Sequence, residues 1–150
     1  MGYINDLRKK VGSSYTLIMP CACAIITNDK GEVLLQKRVD NHLWGYHGGA
    51  IEVDESVEEA LRRELKEELN IEIDEMHLFK IYSGKEYHHV YPNGDHVSPI
   101  DILYVITKFH GDIRLQKEEV LDIAWYNKDN LPELSPNYKT PLKDFFDSIK

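Results

Sequence analysis

Three glutamates on one predicted helix face constrain this chain more than any other feature it carries. The run Val57 to Leu69 places Val57, Ala60, Leu61, Leu65 and Leu69 at helical spacing, which makes one apolar stripe. Glu64, Glu67 and Glu68 lie three and four positions apart, so their carboxylates project the same way. Glu64 falls between Ala60 and Leu61 in helical projection, so that direction is not simply outward. Like charges at this spacing cost roughly 0.2–0.5 kcal/mol per pair even when solvated, and more when partly desolvated. A hard divalent cation removes the cost, because Mg²⁺ is held by carboxylate oxygens. A solvated acidic face is the plainer reading of a Glu-rich helix. It explains neither the Gly48-Gly49 pair upstream nor the spacing of Glu55 and Arg63.

The segment before the helix reads Gly48-Gly49-Ala50-Ile51-Glu52-Val53-Asp54-Glu55. Five residues separate Gly49 from Glu55 and seven separate Glu55 from Arg63. Arg63-Glu64-Leu65-Lys66-Glu67-Glu68 then leads to Asn70-Ile71. This resembles the Nudix box at every position but one, where Asn70 stands in place of the last Gly. The resemblance implies an α+β fold, a Nudix-type α/β/α sandwich with a mixed β-sheet, as one domain over residues 1–150. It implies hydrolysis of the pyrophosphate linkage in a nucleoside diphosphate linked to another group, with Mg²⁺ or Mn²⁺ as cofactor. The substrates it implies are small nucleotides: an NTP or dNTP, ADP-ribose or a nucleotide sugar. By residue-wise match, Glu64, Glu67 and Glu68 are the catalytic metal ligands, beside the Gly49 backbone. Glu67 or Glu68 doubles as the base, unless a loop outside the box supplies it. Glu55 and Arg63 pair to fix the loop on the helix and so orient the ligands.

Three departures from the family pattern stand out. Asn70 is the next-best residue to Gly for a left-handed helix end. Asp54 occupies a position where many relatives have Gly, and tolerates positive φ moderately well. His47 occupies a position where many relatives have Pro, which adds a titratable group to the cleft. None of the three removes a ligand.

Outside the box the signals are weaker. Trp44 and Tyr46 flank the glycine turn and offer a surface for a nucleobase or for core packing, with packing favoured for Trp44. Arg38 ends a strand that leads to the turn and is a candidate for phosphate. Glu118 and Glu119 precede a strand and are candidates for a further ligand or the base. Asn137, in Leu134-Ser135-Pro136-Asn137-Tyr138, offers donor and acceptor to a base edge, or else caps the closing helix. His88 and His89 are adjacent on a predicted strand, so they face opposite ways and cannot share a metal. That hairpin face suits a cover for the site or a homodimer contact.

The remaining sequence sets bounds. A net charge of −8 opposes any extended nucleic-acid surface while leaving room for a small phosphate substrate. The chain has no apolar run long enough for a membrane span and no secretory leader pattern at Met1 to Arg8. Cys21 and Cys23, two apart on an apolar strand, read as small core side chains in a reduced, cytoplasmic protein. Strands are predicted at 15–27 (interrupted at Pro20), 32–38, 44–49, 71–73, 76–82 and 120–126. A long hairpin is predicted from 85–91 and 96–109. Helices are predicted at 3–10, over the box, and at 142–149. Two rivals to the hydrolase follow from the same resemblance. A non-catalytic nucleotide sensor would lack a ligand Glu, and all three are present. An isoprenoid diphosphate isomerase would need a cysteine at the cleft.

Overall fold

The computed structural model describes residues 2–149. Its elements are α1 (Tyr3–Val11), β1 (Leu17–Thr27), β2 (Val33–Arg38), β3 (Trp44–Gly45), β4 (His47–Ala50) and α2 (Val57–Leu69). They are followed by β5 (Glu72–Tyr82), β6 (His89–Val90), β7 (His96–His110), β8 (Val120–Tyr126) and α3 (Lys139–Ser148). One mixed sheet runs β3-β2-β1-β7-β5, with β4 also on β1, β6 on β7 and β8 on β2. Among the paired strands of the described residues only β1–β7 is parallel.

Alternation along the two central strands sorts the core into two layers. Ala22, Ala24 and Ile26 of β1, with Tyr104 and Ile106 of β7, pack against Leu61, Leu65 and Leu69 of α2. Cys21, Cys23 and Ile25, with Leu103 and Val105, face the opposite way and join Leu142, Phe145 and Phe146 of α3. The result is the α/β/α sandwich that the box resemblance implies.

The geometry that makes room for a site lies between β1 and β2. These strands pair only at Ile26–Leu34 and Thr27–Val33. Beyond that point β4 takes over as the partner of β1, from Ala24–His47 to Cys21–Ala50. Two buried side chains bridge the divergence. Gln36 Nε2 donates to the Tyr46 carbonyl at 3.2 Å, and His47 Nε2 meets the Leu34 carbonyl at 3.1 Å.

Several boundaries differ from the sequence expectations. β1 runs unbroken through Pro20, whose carbonyl accepts from Ile51 N at 3.0 Å. A missing N–H removes one ladder bond without ending the strand. The two strands expected at 71–73 and 76–82 form one strand, β5, whose register shifts near Glu75 and Leu78 as it follows β7. The first arm of the long hairpin shrinks to a 3₁₀ turn at Lys85–Tyr87 and the two residues of β6. The last helix begins at Lys139, ahead of Pro141. Pro is tolerated in a first turn because the N–H it lacks has no intrahelical partner there.

The box helix is defined at both ends. Ser56 Oγ accepts from Glu59 N at 3.1 Å while Glu59 Oε1 accepts from Ser56 N at 2.9 Å, a complete capping box. Asn70 closes the helix in the left-handed region (φ 60°, ψ 36°), and its amide donates to the Asp112 carbonyl at 3.0 Å. Asn70→Val should therefore cost about 1–2 kcal/mol in urea denaturation, because a β-branched residue resists that conformation. Asn70→Gly should stay within about 1 kcal/mol of the parent, the lost side-chain bond offsetting the relieved backbone.

Candidate active site

The turn and helix of the box are held together by one guanidinium. Arg63 Nε donates to Glu55 Oε2 at 2.7 Å and Nη2 to Glu55 Oε1 at 3.0 Å. The same Nη2 reaches the Ala50 carbonyl at 3.1 Å, and Nη1 reaches Glu64 Oε1 at 3.0 Å. Glu55 Oε1 also accepts from Glu52 N at 2.9 Å, inside the loop. The Arg63 hydrogen bonds hold the Glu55 carboxyl below its ordinary range. Asp54 enters this turn at φ 66°.

Glycine is required where β4 meets the helix. A Cβ on Gly49 would collide with the Glu64 carboxylate. Gly48 has φ 148° and lies so close to β1 that a Cβ would strike the Ala22 carbonyl. The Gly49 backbone is thereby laid directly against a helix carboxylate.

The three helix glutamates have different surroundings. Glu68 is 3% exposed, and its Oε2 lies 4.0 Å from His47 Nδ1. Burial, and then the Glu64 carboxylate beside it, push the Glu68 carboxyl well above the ordinary range. Glu64 lies over Gly49 with one oxygen on Arg63. The Glu67 side chain is 59% exposed and leans on Arg63 Nη1 at 3.5 Å. Glu119 stands across the cleft at the end of the loop before β8. Its carboxyl is raised by partial burial and by Glu64 and Glu67. Glu118 and Glu119 border a groove that also touches Glu68 and Gly48.

Among the described residues no three His, Cys, Asp or Glu side chains already converge on a metal position. The donor chemistry nonetheless suits a hard cation. Glu64, Glu67, Glu68 and Glu119 supply only carboxylate oxygens. His47 Nδ1 is buried without a hydrogen-bond partner and faces Glu68.

Of these groups Glu64, Glu119 and His47 border a cleft of about 510 Å³, together with Gly48 and Gly49. Arg38, Tyr46, His47, Glu119 and Asn137 all border it. Arg38 is engaged at both ends of its fork, by Asp40 at 2.9 Å twice and by Tyr138 Oη at 3.0 Å. Asn137 does not cap α3. The position before that helix is Tyr138, and the Asn137 amide donates to the Tyr87 carbonyl at 2.8 Å. Trp44 is not among the residues that border the cleft; its ring packs edge-on against Tyr126 at 5.3 Å. A base-stacking role for Trp44 therefore has no geometry behind it.

Cys21 and Cys23 are buried, as their strand position implies, yet both also border the cleft. Burial drives both thiols far above the ordinary cysteine range, which suppresses the thiolate a nucleophile needs. Sequence reasoning also missed Asp101, Tyr138 and the docking of α1. Asp101 left one trace, a lone carboxylate between Ile100 and Ile102. For α1 the ties are Tyr3 N to Glu52 Oε1 at 2.8 Å and Arg8 Nη2 to the His96 carbonyl at 2.7 Å. His88 lies at the end of the 3₁₀ turn and not on a strand as expected; it meets His96 at 3.1 Å, while His89 packs onto the Tyr91 ring.

A family model described as NUDIX domain matches residues 17–147. The chain belongs to the Nudix family. An ADP-ribose pyrophosphatase from Methanocaldococcus jannaschii is 28% identical over 93% of this chain and 81% of its own length. RNA pyrophosphohydrolases such as that of Pseudomonas putida are 40% identical, but over 40% of this chain and 38% of theirs. The chain thus matches under two fifths of the length of those relatives. A crystal structure of a MutT Nudix hydrolase from Burkholderia pseudomallei superposes with a TM-score of 0.70 at 28% identity, covering 83% of this chain and 95% of that one. Among the described residues no helix of this Nudix chain is long and apolar enough to cross a membrane.

The buried His47 gives a pH signature. Burial lowers its pKa from 6.5 to about 4, so the native imidazole stays neutral while the unfolded one titrates near its ordinary value. Between those values the unfolded state binds more protons, so stability falls as pH drops through this window. With chelator present, the native protein should lose about 3 kcal/mol more than His47→Leu between pH 7 and pH 4. Urea denaturation at a series of pH values measures the difference.

Proposed function

We propose that the chain hydrolyses the pyrophosphate linkage of a small nucleotide: a nucleoside triphosphate, ADP-ribose or a nucleotide sugar. The observation that carries this reading is the Gly49 backbone lying against Glu64, with Arg63 clamping both sides of the turn. A backbone without side chains beside a row of carboxylates suits a diphosphate brought to them by a divalent cation. Glu64, Glu67 and Glu68 would hold Mg²⁺ or Mn²⁺, with Glu119 as a further ligand or base. The bound cation supplies charge neutralisation on the phosphoryl oxygens and acidifies water.

The chain's own residues supply the rest. Glu55 and Arg63 hold the turn in register with the helix, acting as positioning residues. His47, buried and neutral, holds the Leu34 carbonyl through Nε2 and lines the pocket around Glu68. Glu119, raised in pKa and across from Glu64, is suited to take a proton from the attacking water. Water adds to one phosphorus as the bridging P–O bond breaks, and the second phosphate departs with that bond's electrons.

Two facts favour a small nucleotide over an RNA end. The net charge of −8 opposes a polyanion. One relative that aligns along most of the chain is an ADP-ribose pyrophosphatase, whereas the RNA pyrophosphohydrolases match a shorter segment.

A nucleotide panel assayed for phosphate and pyrophosphate release tests the proposal. Activity should vanish with excess EDTA and return with Mg²⁺ or Mn²⁺, and full turnover in EDTA would sink it. The melting temperature should rise with Mg²⁺, since a ligand of the folded state stabilises it. Glu67→Gln and Glu68→Gln should each lower kcat by a factor of ~10²–10³. Glu55→Gln should cost less and act partly through a lower melting point. In ¹⁸O-labelled water the label should enter a phosphate product and no sugar carbon.

A further inference from the structure

The face of β7 turned toward α3 carries one residue that its surroundings do not call for. Val97, Pro99 and Asp101 border the cleft, and Leu103 and Val105 continue the same row into the core. On the adjacent strand Met19, Cys21 and Cys23 border the cleft and Ile25 follows into the core. Asp101 is thus a lone carboxyl on an apolar row, where burial disfavours its charge and raises its pKa. Tyr46 Oη donates to its Oδ2 at 2.7 Å, and the Cys23 thiol is a second donor. A carboxyl offers about four acceptor sites, so these two partners use only part of its capacity. Nothing in the chemistry of the box employs it.

Its position relative to the box is fixed by register. Cys21 of β1 pairs with Ala50 on one side and with Asp101 on the other. Two strand spacings therefore separate Asp101 from the Ala50 backbone, roughly 10 Å. That is the reach of a ribose and a base from a diphosphate seated on Gly49. The Tyr46 and Tyr138 rings, edge to face with centroids 4.5 Å apart, border the cleft beside it. Asn137 also borders the cleft, its amide nitrogen already committed to Tyr87.

We propose that Asp101 sets base specificity, accepting a hydrogen bond from the exocyclic amine of an adenine, cytosine or guanine nucleotide. The Tyr46 hydroxyl fixes the carboxyl, and the opposite part of the group faces the cleft for the base. This deepens the nucleotide-hydrolase reading and rests on it.

The test compares nucleotides matched but for the exocyclic amine and, in the first and last pairs, the ring N–H that its replacement by a carbonyl brings: ATP with ITP, GTP with ITP, and CTP with UTP. Wild-type protein should favour the amino-bearing member of at least one pair by ~10-fold or more in kcat/KM, mostly through KM. Asp101→Asn puts an N–H where the carboxyl accepts, and should flatten or reverse that preference while the disfavoured member keeps its rate within about twofold. Tyr46→Phe should keep the order of preference. No preference in any pair, or a preference unchanged in Asp101→Asn, overturns the proposal. A uniform fall in kcat for every nucleotide in both variants also overturns it, and makes Asp101 only an anchor for Tyr46.

A binding measurement separates this proposal from the hydrolytic reading. At least one of AMP, GMP and CMP should raise the melting temperature of the wild-type protein more than its matched IMP or UMP does, whether or not the protein turns over any substrate. If no nucleotide is hydrolysed and that difference persists, the hydrolytic reading falls and the base-reading role stands. Equal shifts for all the monophosphates overturn the role of Asp101, and do so even if Asp101→Asn fails to fold.

Discussion

The Arg63 guanidinium makes four hydrogen bonds, to both Glu55 oxygens, to the Ala50 carbonyl and to Glu64. Together they reach three parts of the box. Glu55 belongs to the loop, Ala50 to the end of β4, and Glu64 to the helix. An arginine remains charged at any pH the fold survives, and its planar fork fixes direction as well as distance. A lysine could supply the charge but not the three-way geometry. The turn therefore cannot drift from the helix without exposing a cation whose carboxylate partners would be left to repel one another.

The second constraint is steric. Gly49 lies against Glu64, and Gly48 lies against β1, so neither position accommodates a side chain. This close approach exists because β4 displaces β2 from β1, and His47 and Gln36 satisfy the backbone groups that the displacement leaves behind. The cleft is thus a consequence of strand exchange. Its floor consists of side chains that the sheet turns toward α3, while Glu64 on its border comes from the helix on the opposite layer.

That division explains which residues were legible in advance. The helix carboxylates, the Glu55–Arg63 pair and the left-handed positions at Asp54 and Asn70 lie within one continuous segment. Helical spacing put the carboxylates on one helix face, backbone preference suited Asp54 and Asn70 to positive φ, and the family resemblance implied the Glu55–Arg63 pair. Local reasoning favoured packing for Trp44 without naming its partner, and it read Asn137 as a cap, where it fails. Trp44 flanks the turn in sequence, yet its ring packs against Tyr126 of β8, because β2 brings those strands together. Asn137 has the composition of a cap, yet the helix starts two residues later and its amide bonds Tyr87 instead.

The sequence by itself determined the box, the α+β class and most of the strands, because helical and two-residue periodicities are local properties of the chain. Tertiary structure alone decided the cleft. Cys21, Asp101 and Tyr138 are far apart in the chain and meet because the parallel β1–β7 pair and the last helix converge there. It also decided the fate of α1, a helix with no buried residue that is tied to the box loop through Glu52. Contacts of this kind depend on which strands become neighbours, a choice made by packing the whole core rather than by any short run of residues.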